Sequence, residues 1–251
     1  MNAAPNTVPV VKIKRSERAV ELRRARLSLL KARWPVVALV ILTFMLFLAV
    51  FGPQVAPKDP NRQNLILRLQ APMTQNAEGT VDFPFGTDAL GRDLLSRLIY
   101  GARVSLFVGL TAVVIGGLIG TMAGVVGGYL GGRVDDVIMR LADIQLAFPF
   151  ILLTIMVLVV LGTGVLNLIV VLGVSQWVTY ARIARAQTIS QREREYVEAA
   201  RSAGARDWHI MMTTIFPNIL APLIVIASFN VASVILAEAS LSFLGAGVPP
   251  E

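Results

Sequence analysis

Few side chains in this 251-residue sequence are equipped for covalent chemistry, and they do not converge. There is no cysteine, which excludes thiolate nucleophiles, disulfides and zinc–sulfur sites. His209 is the single histidine, too little for a His-rich metal site. No G-x-x-x-x-G-K-[ST] loop is present to cradle a nucleotide phosphate. Glu238 closes a long apolar tract, where an acid reads either as a coupling-ion or proton site or as a solvated interfacial carboxylate. Its position at the tract's end favours the solvated reading. Asn218 and Asn230 share a tract with Pro217 and Pro222, so that segment is a kinked, amide-bearing helix. Such a helix either lines a polar pathway or is bent for structure alone. No catalytic site and no metal site is expected.

Recognition by shape is the chemistry that remains, and one segment is suited to it. Glu198-Ala199-Ala200-Arg201-Ser202-Ala203-Gly204 sits in a charged, helix-forming stretch between two apolar tracts. Gly204 suits the positive-φ position that ends a helix, and Asp207 suits the cap of the next one. A short helix carrying Ala199, Ala200 and Ala203 is thereby held between two turns. Small side chains allow another protein to approach closely; the other reading is an ordinary solvated loop helix. A second pattern is Gly116, Gly120, Gly124 and Gly128, one glycine every four residues along one helical face. In lipid that spacing permits close helix–helix approach. Packing within the bundle is the simpler use, and contact with a second membrane subunit or a sliding helix is the sharper one.

The elements that position these residues are membrane spans. Of all residues 55% are hydrophobic and only 16% charged, against about 25% charged in ordinary soluble domains. Mostly apolar, uncharged tracts cover residues 34–51, 104–132, 144–181 and 210–237, each at or above the roughly 18 residues that mark a span. These tracts exclude a soluble enzyme, a secreted domain and a disordered chain. The tract 144–181 would make a helix of about 57 Å against a hydrocarbon core of about 30 Å. It therefore folds back, at Gly162-Thr163-Gly164. The sequence is thus an all-α polytopic membrane protein with five spans, near 34–52, 104–130, 144–161, 165–183 and 210–237.

Charge gives the orientation. Residues 1–33 hold nine Lys/Arg against two Glu, which accounts for the whole net charge of +7. A basic tail abutting a span points to the cytoplasm and touches anionic lipid, not nucleic acid. With that tail inside, residues 131–143 and 182–209 are inside and 53–103 outside. In the outer segment, Leu94, Leu95, Leu98 and Ile99 with Arg92, Arg97 and Arg103 predict a short amphipathic helix on the membrane surface over 83–103.

These residues also carry a family resemblance. Glu198-Ala199-Ala200, Gly204 and Pro217 resemble the EAA loop of ABC importer permeases, E-A-A-x3-G-x9-I-x-L-P, with Thr214 and Phe216 at the Ile and Leu positions. The segment from Phe85 to Arg103 resembles that before the second span of dipeptide/oligopeptide permeases. Ala239–Gly245 resembles their segment after the fifth span. The short outer loop matches the DppC/OppC type. The resemblance implies the MetI-like, type I importer transmembrane fold over residues 104–251, whose sixth span has no tract here, so the sequence is expected to be short at its C-terminal end. It also implies a coupling loop at 184–209, in which Glu198, Ala199, Ala200, Ala203 and Gly204 dock on an ATPase and Pro217 opens the following span. Implied partners are a second, DppB/OppB-like permease subunit, two cytoplasmic ABC ATPases that bind ATP and Mg, and an extracytoplasmic substrate-binding protein. The cargo would be di- or oligopeptides, or another small solute such as nickel. Asn218, Asn230 and Glu238 would line the pathway. A secondary transporter would need midplane ion ligands or inverted repeats, neither of which is seen.

The orientation is open to direct test, because the chain is naturally free of cysteine. Single cysteines placed at 60–80 should react with an impermeant maleimide in intact cells. Those at 190–205 should react only after permeabilisation, and labelling of residue 198 from outside would reverse the topology.

Overall fold

The computed structural model describes residues 33–75, 79–245 and 247. All but the last residue of the basic tail 1–33 lies outside them. The chain divides between Phe47 and Leu48 into two units, each described by itself. Helix α1, Arg33–Val55, is apolar all round and long enough to span. Beyond it run α2 (Leu94–Leu130), α3 (Gly132–Leu146), α4 (Phe150–Leu161), α5 (Val165–Arg192) and α6 (Glu195–Ser202). The last span, α7, covers Asp207–Phe243. It comprises an α turn Asp207–His209, a π-wound turn Ile210–Ile215 and an α-helix Phe216–Phe243.

The core is built on the α2–α5 pair. A Cβ added at Gly116 would stand 2.5 Å from the Gly173 carbonyl oxygen. At Gly120 it would meet Trp177 O at 2.1 Å, at Gly124 Ala181 O at 2.3 Å, and at Gly128 Arg185 O at 2.8 Å. Contacts advance by four residues on both helices in the same direction, so the two helices run parallel with backbones nearly touching. Gly173 returns the favour, lying 3.1 Å from Ala112 O by the same measure. The glycine row is therefore used for packing within the chain. Around it, Val108, Ala112, Val125, Leu168, Leu172, Ala184, Ile215, Ile219 and Val234 are buried in one cluster.

Two sequence expectations need correction. The span expected at 144–161 is broken: α3 and α4 meet at 89° across Ala147–Pro149. Pro149 has no N–H to continue a helix, disfavours the helical conformation in the residue before it, and stands extended at φ −57° and ψ 126° ahead of α4. The charged segment 131–143 is itself helical. It runs antiparallel along α5 through a polar ladder, with Asp135 paired to Arg185, Asp143 to Arg182 at 2.6 Å, and Gln145 accepting from Trp177 Nε1 at 2.7 Å and donating to Ser175 O at 2.8 Å. Finally, no separate surface helix precedes the second span. α2 starts at Leu94 and is continuous to Leu130, with Ile99 buried and Leu98 exposed. At 37 residues it is about 55 Å long, well beyond a bilayer's hydrocarbon core.

The motif ahead of α2 instead ties down the preceding loop. Gly86 and Gly91 have φ of 78° and 73°, and a Cβ on them would collide with Gln70 O at 2.3 Å and Asn64 O at 1.8 Å. Asp88 accepts from the Leu90 and Arg92 amides at 2.8 and 3.0 Å, from Arg92 Nε at 2.8 Å and from Arg97. Asp93 caps α2, accepting from Ser96 N at 2.9 Å, and Ser96 Oγ in turn accepts from Lys58 N at 3.0 Å. A two-stranded hairpin, β1 (Thr74–Gln75) with β2 (Val81–Phe83), completes the segment.

Two predictions follow from this packing. Gly120→Ala should lower stability in detergent by about 1–3 kcal/mol through overpacking, read as a drop in unfolding midpoint. Gly101→Ala, where a Cβ meets nothing within 4 Å, should raise it by up to about 1 kcal/mol. Equal effects at both sites would refute the close approach. For Asp88, burial raises the carboxyl's pKa, but the hydrogen bonds from Arg92 and Leu90 outweigh it and hold it at about 2, below the usual 3.8. Its stabilising contribution is complete above about pH 4 and is lost as pH falls toward 2. Pepsin should therefore spare residues 64–92 at pH 4.5 and cut them at pH 2, whereas Asp88→Ala should be cut at both.

Candidate functional site

The charged segment between α5 and α7 folds as a separate short helix with its own punctuation. α5 stops at Arg192, and Arg194, in extended conformation, starts α6. Glu195 and Glu198 in the first turn and Arg201 in the last complement the helix dipole. The helix then closes in a Schellman turn: Ala205 N donates to Ala200 O at 3.1 Å and Gly204 N to Arg201 O at 3.0 Å. Gly204 has φ of 81°, and a Cβ there would meet nothing within 4 Å. Conformation alone, not space, demands glycine at this position.

α6 is moored by one side and presents the other. Val197 is fully buried and Ala200 packs against the core cluster. Glu198, Ala199, Ala203 and Gly204 are exposed, as are Tyr196 and, just beyond the turn, Trp208. The exposed residues include the acidic Glu195 and Glu198 and the small Ala199, Ala203 and Gly204.

Neighbouring side chains fix the mount. Tyr129, in the last turn of α2, donates its hydroxyl to Asp207 Oδ1 at 2.8 Å. The Arg201 guanidinium lies 5.8 Å over the Tyr129 ring. The Tyr129 hydroxyl, with the carboxylates of Asp207 and Glu198, raises the Arg201 pKa further, so its charge is permanent. Arg192 Nη1 donates to the Gly128 and Tyr129 carbonyls at 3.2 and 3.4 Å. Asp207 is thus not the helix cap expected of it. Arg206 occupies the cap position without a side-chain bond, and the Asp207 carboxylate serves Tyr129 instead. Sequence reasoning missed Tyr129, Asp135 and Arg185, whose partners lie at least fifty residues away.

The remaining candidates are dispersed along α7. Pro217 stands at the start of the α-helix that follows the π turn, where its missing N–H costs little. Asn218 is exposed, donates to Thr214 O at 2.6 Å, and shares a groove with Gln191, Glu193, Arg194 and Tyr196. Asn230 lies beside the Tyr180 hydroxyl, and both Tyr180 Oη and Asn230 Nδ2 are buried without a hydrogen bond. Glu238 overturns the solvated reading. It is only 6% exposed, within the helix, and accepts from Ser105 Oγ of α2 at 2.9 Å and Ser242 Oγ at 3.0 Å.

Comparison with known proteins gives the family. Residues 116–250 match the family model for the binding-protein-dependent transport system inner membrane component, and residues 21–72 that for the N-terminal TM domain of oligopeptide transport permease C. The chain is 42% identical to the di/tripeptide transport system permease protein DppC of Pseudomonas aeruginosa, over 84% of this chain and 70% of that one. It is 37% identical to the dipeptide permease DppC of Bacillus subtilis, over 98% and 78%, and 35% identical to the oligopeptide permease OppC of the same organism, over 98% and 78%. A solved structure of the MetNI methionine ABC transporter in inward-facing conformation resembles it in fold. The TM-score is 0.53 at 22% identity, over 60% of this chain and 76% of that one.

Proposed function

The chain belongs to the binding-protein-dependent transport system inner membrane components, as an ABC permease of the dipeptide/oligopeptide type, and we propose how its parts serve that role. It is a multi-pass inner-membrane protein with its N-terminal tail in the cytoplasm. With a second, related permease subunit it forms the pathway for di- or oligopeptides delivered by an extracytoplasmic binding protein. ATP is hydrolysed by two cytoplasmic ATPases that this chain engages but does not replace.

α6 is the coupling helix. The observation that carries this reading is its mounting: one buried side chain, an exposed run of small and acidic residues, and a turn at positive φ that suits glycine. Glu198, Ala199, Ala200 and Ala203 seat in a groove of an ATPase subunit, and Gly204 and Pro217 set how the helix is joined to α7. Closure of the ATPases displaces α6 and swings the spans between inward-open and outward-open arrangements, a rigid-body change. Asn218, Asn230 and Glu238 supply polar points along α7 for a cargo rich in amide groups.

Gly204→Val places a β-branched residue at positive φ, and Glu198→Lys reverses a charge on the docking face. Both should insert normally, since neither side chain is buried. Each should reduce co-purification of the ATPase subunits and peptide uptake in reconstituted vesicles at least tenfold. Retention of full ATPase association and uptake by both variants would overturn the assignment of α6.

A further inference from the structure

A docking helix transmits motion only through what it is bonded to, and α6 is a small lever. Its eight residues rise about 12 Å. It joins α5 and α7 through short turns, and Val197 is its single buried residue. Side-chain bonds must carry a displacement to α2, which the chain itself reaches only through α3, α4 and α5.

We propose that Tyr129 is the positioning residue that relays movement of the docking segment to the α2–α5 pair. This rests on the coupling role of α6 given above. Tyr129 is 7% exposed, and three elements converge on it. Its hydroxyl is bonded to Asp207 at the root of α7, and its ring lies under Arg201 of α6. Its carbonyl accepts from Arg192 at the end of α5. Immediately before it, Gly128 is pressed against Arg185 of α5. The phenol is therefore fixed to the stiffest part of the bundle and reaches to its movable part. Its bond to a carboxylate is charge-assisted and partly shielded from water, conditions that strengthen a hydrogen bond. A push on α6 then turns α7 and the α2–α5 pair together.

The alternative is that Tyr129 merely fills space. Tyr129→Phe separates the two roles, because the ring and its contact with Arg201 remain while the bond to Asp207 is lost. The variant is prepared in the full complex with its permease, ATPase and binding-protein partners and reconstituted in vesicles, with uptake and ATP hydrolysis measured together. ATPase association should match wild type, because the α6 face is untouched. Peptide taken up per ATP hydrolysed should fall by roughly tenfold or more, the equilibrium effect of one lost charge-assisted hydrogen bond. Asp207→Ala should behave the same way, and Asp207→Asn, which keeps an oxygen acceptor but loses the charge, should fall between Asp207→Ala and wild type. An unchanged ratio in Tyr129→Phe overturns the relay alone. So does a parallel fall in yield, hydrolysis and uptake, the signature of a purely structural role. A wild-type chain that retains no ATPase would overturn the coupling reading and the relay with it.

Discussion

Everything in this protein hangs on how closely two backbones approach. Lipid gives helices no hydrophobic reason to associate, since a lipid tail is as apolar as leucine. Affinity has to come from contact, and contact from removing side chains. Gly116, Gly120, Gly124 and Gly128 do this on α2, and the Gly173, Trp177, Ala181 and Arg185 carbonyls fill the trough. Because two parallel neighbours require a return path between them, the bent α3–α4 unit is a consequence of that pairing. The polar ladder from Asp135 to Gln145 lays α3 back along α5, and the α2–α5 pair becomes the frame to which the rest is attached.

Polar groups in this setting act as fasteners. Glu238 joins α7 to α2 through Ser105, and Tyr129 joins them at the opposite end of α2 through Asp207. Between these bonds the contacts of α7 are apolar, apart from the Tyr180–Asn230 spot, whose two buried polar atoms have no hydrogen bond. A span held to the frame by hydrogen bonds near its ends and by apolar packing between them is well suited to rocking. The π turn at Ile210–Ile215 places the irregular winding at the base of α7, directly after α6.

Much of this was legible in the sequence, for identifiable reasons. The glycine row and the Gly162 turn are local patterns, and close helix approach is what either use of the row requires; Gly204 announces its dihedral angle by being glycine after a charged helix. What could not be read was non-local or hidden by uniform hydropathy. The break at Ala147–Pro149 interrupts an apolar tract without changing its polarity, although Pro149 itself was a visible signal. The start of α2 was placed too late because charged residues from Arg92 to Arg103 suggested a boundary that the backbone ignores. Glu238 was misjudged because hydropathy reports where a tract ends, whereas a buried carboxylate depends on hydroxyls at Ser105 and Ser242 that sequence spacing only half reveals.

The turn at Gly204 has a stereochemical consequence. Since the space an L side chain's Cβ would occupy is open, what excludes other residues is chirality. A D-alanine introduced by semisynthesis would satisfy the same dihedral angles without backbone strain. The position therefore excludes side chains of one hand only. Among the twenty encoded residues, glycine is the achiral one that escapes that exclusion.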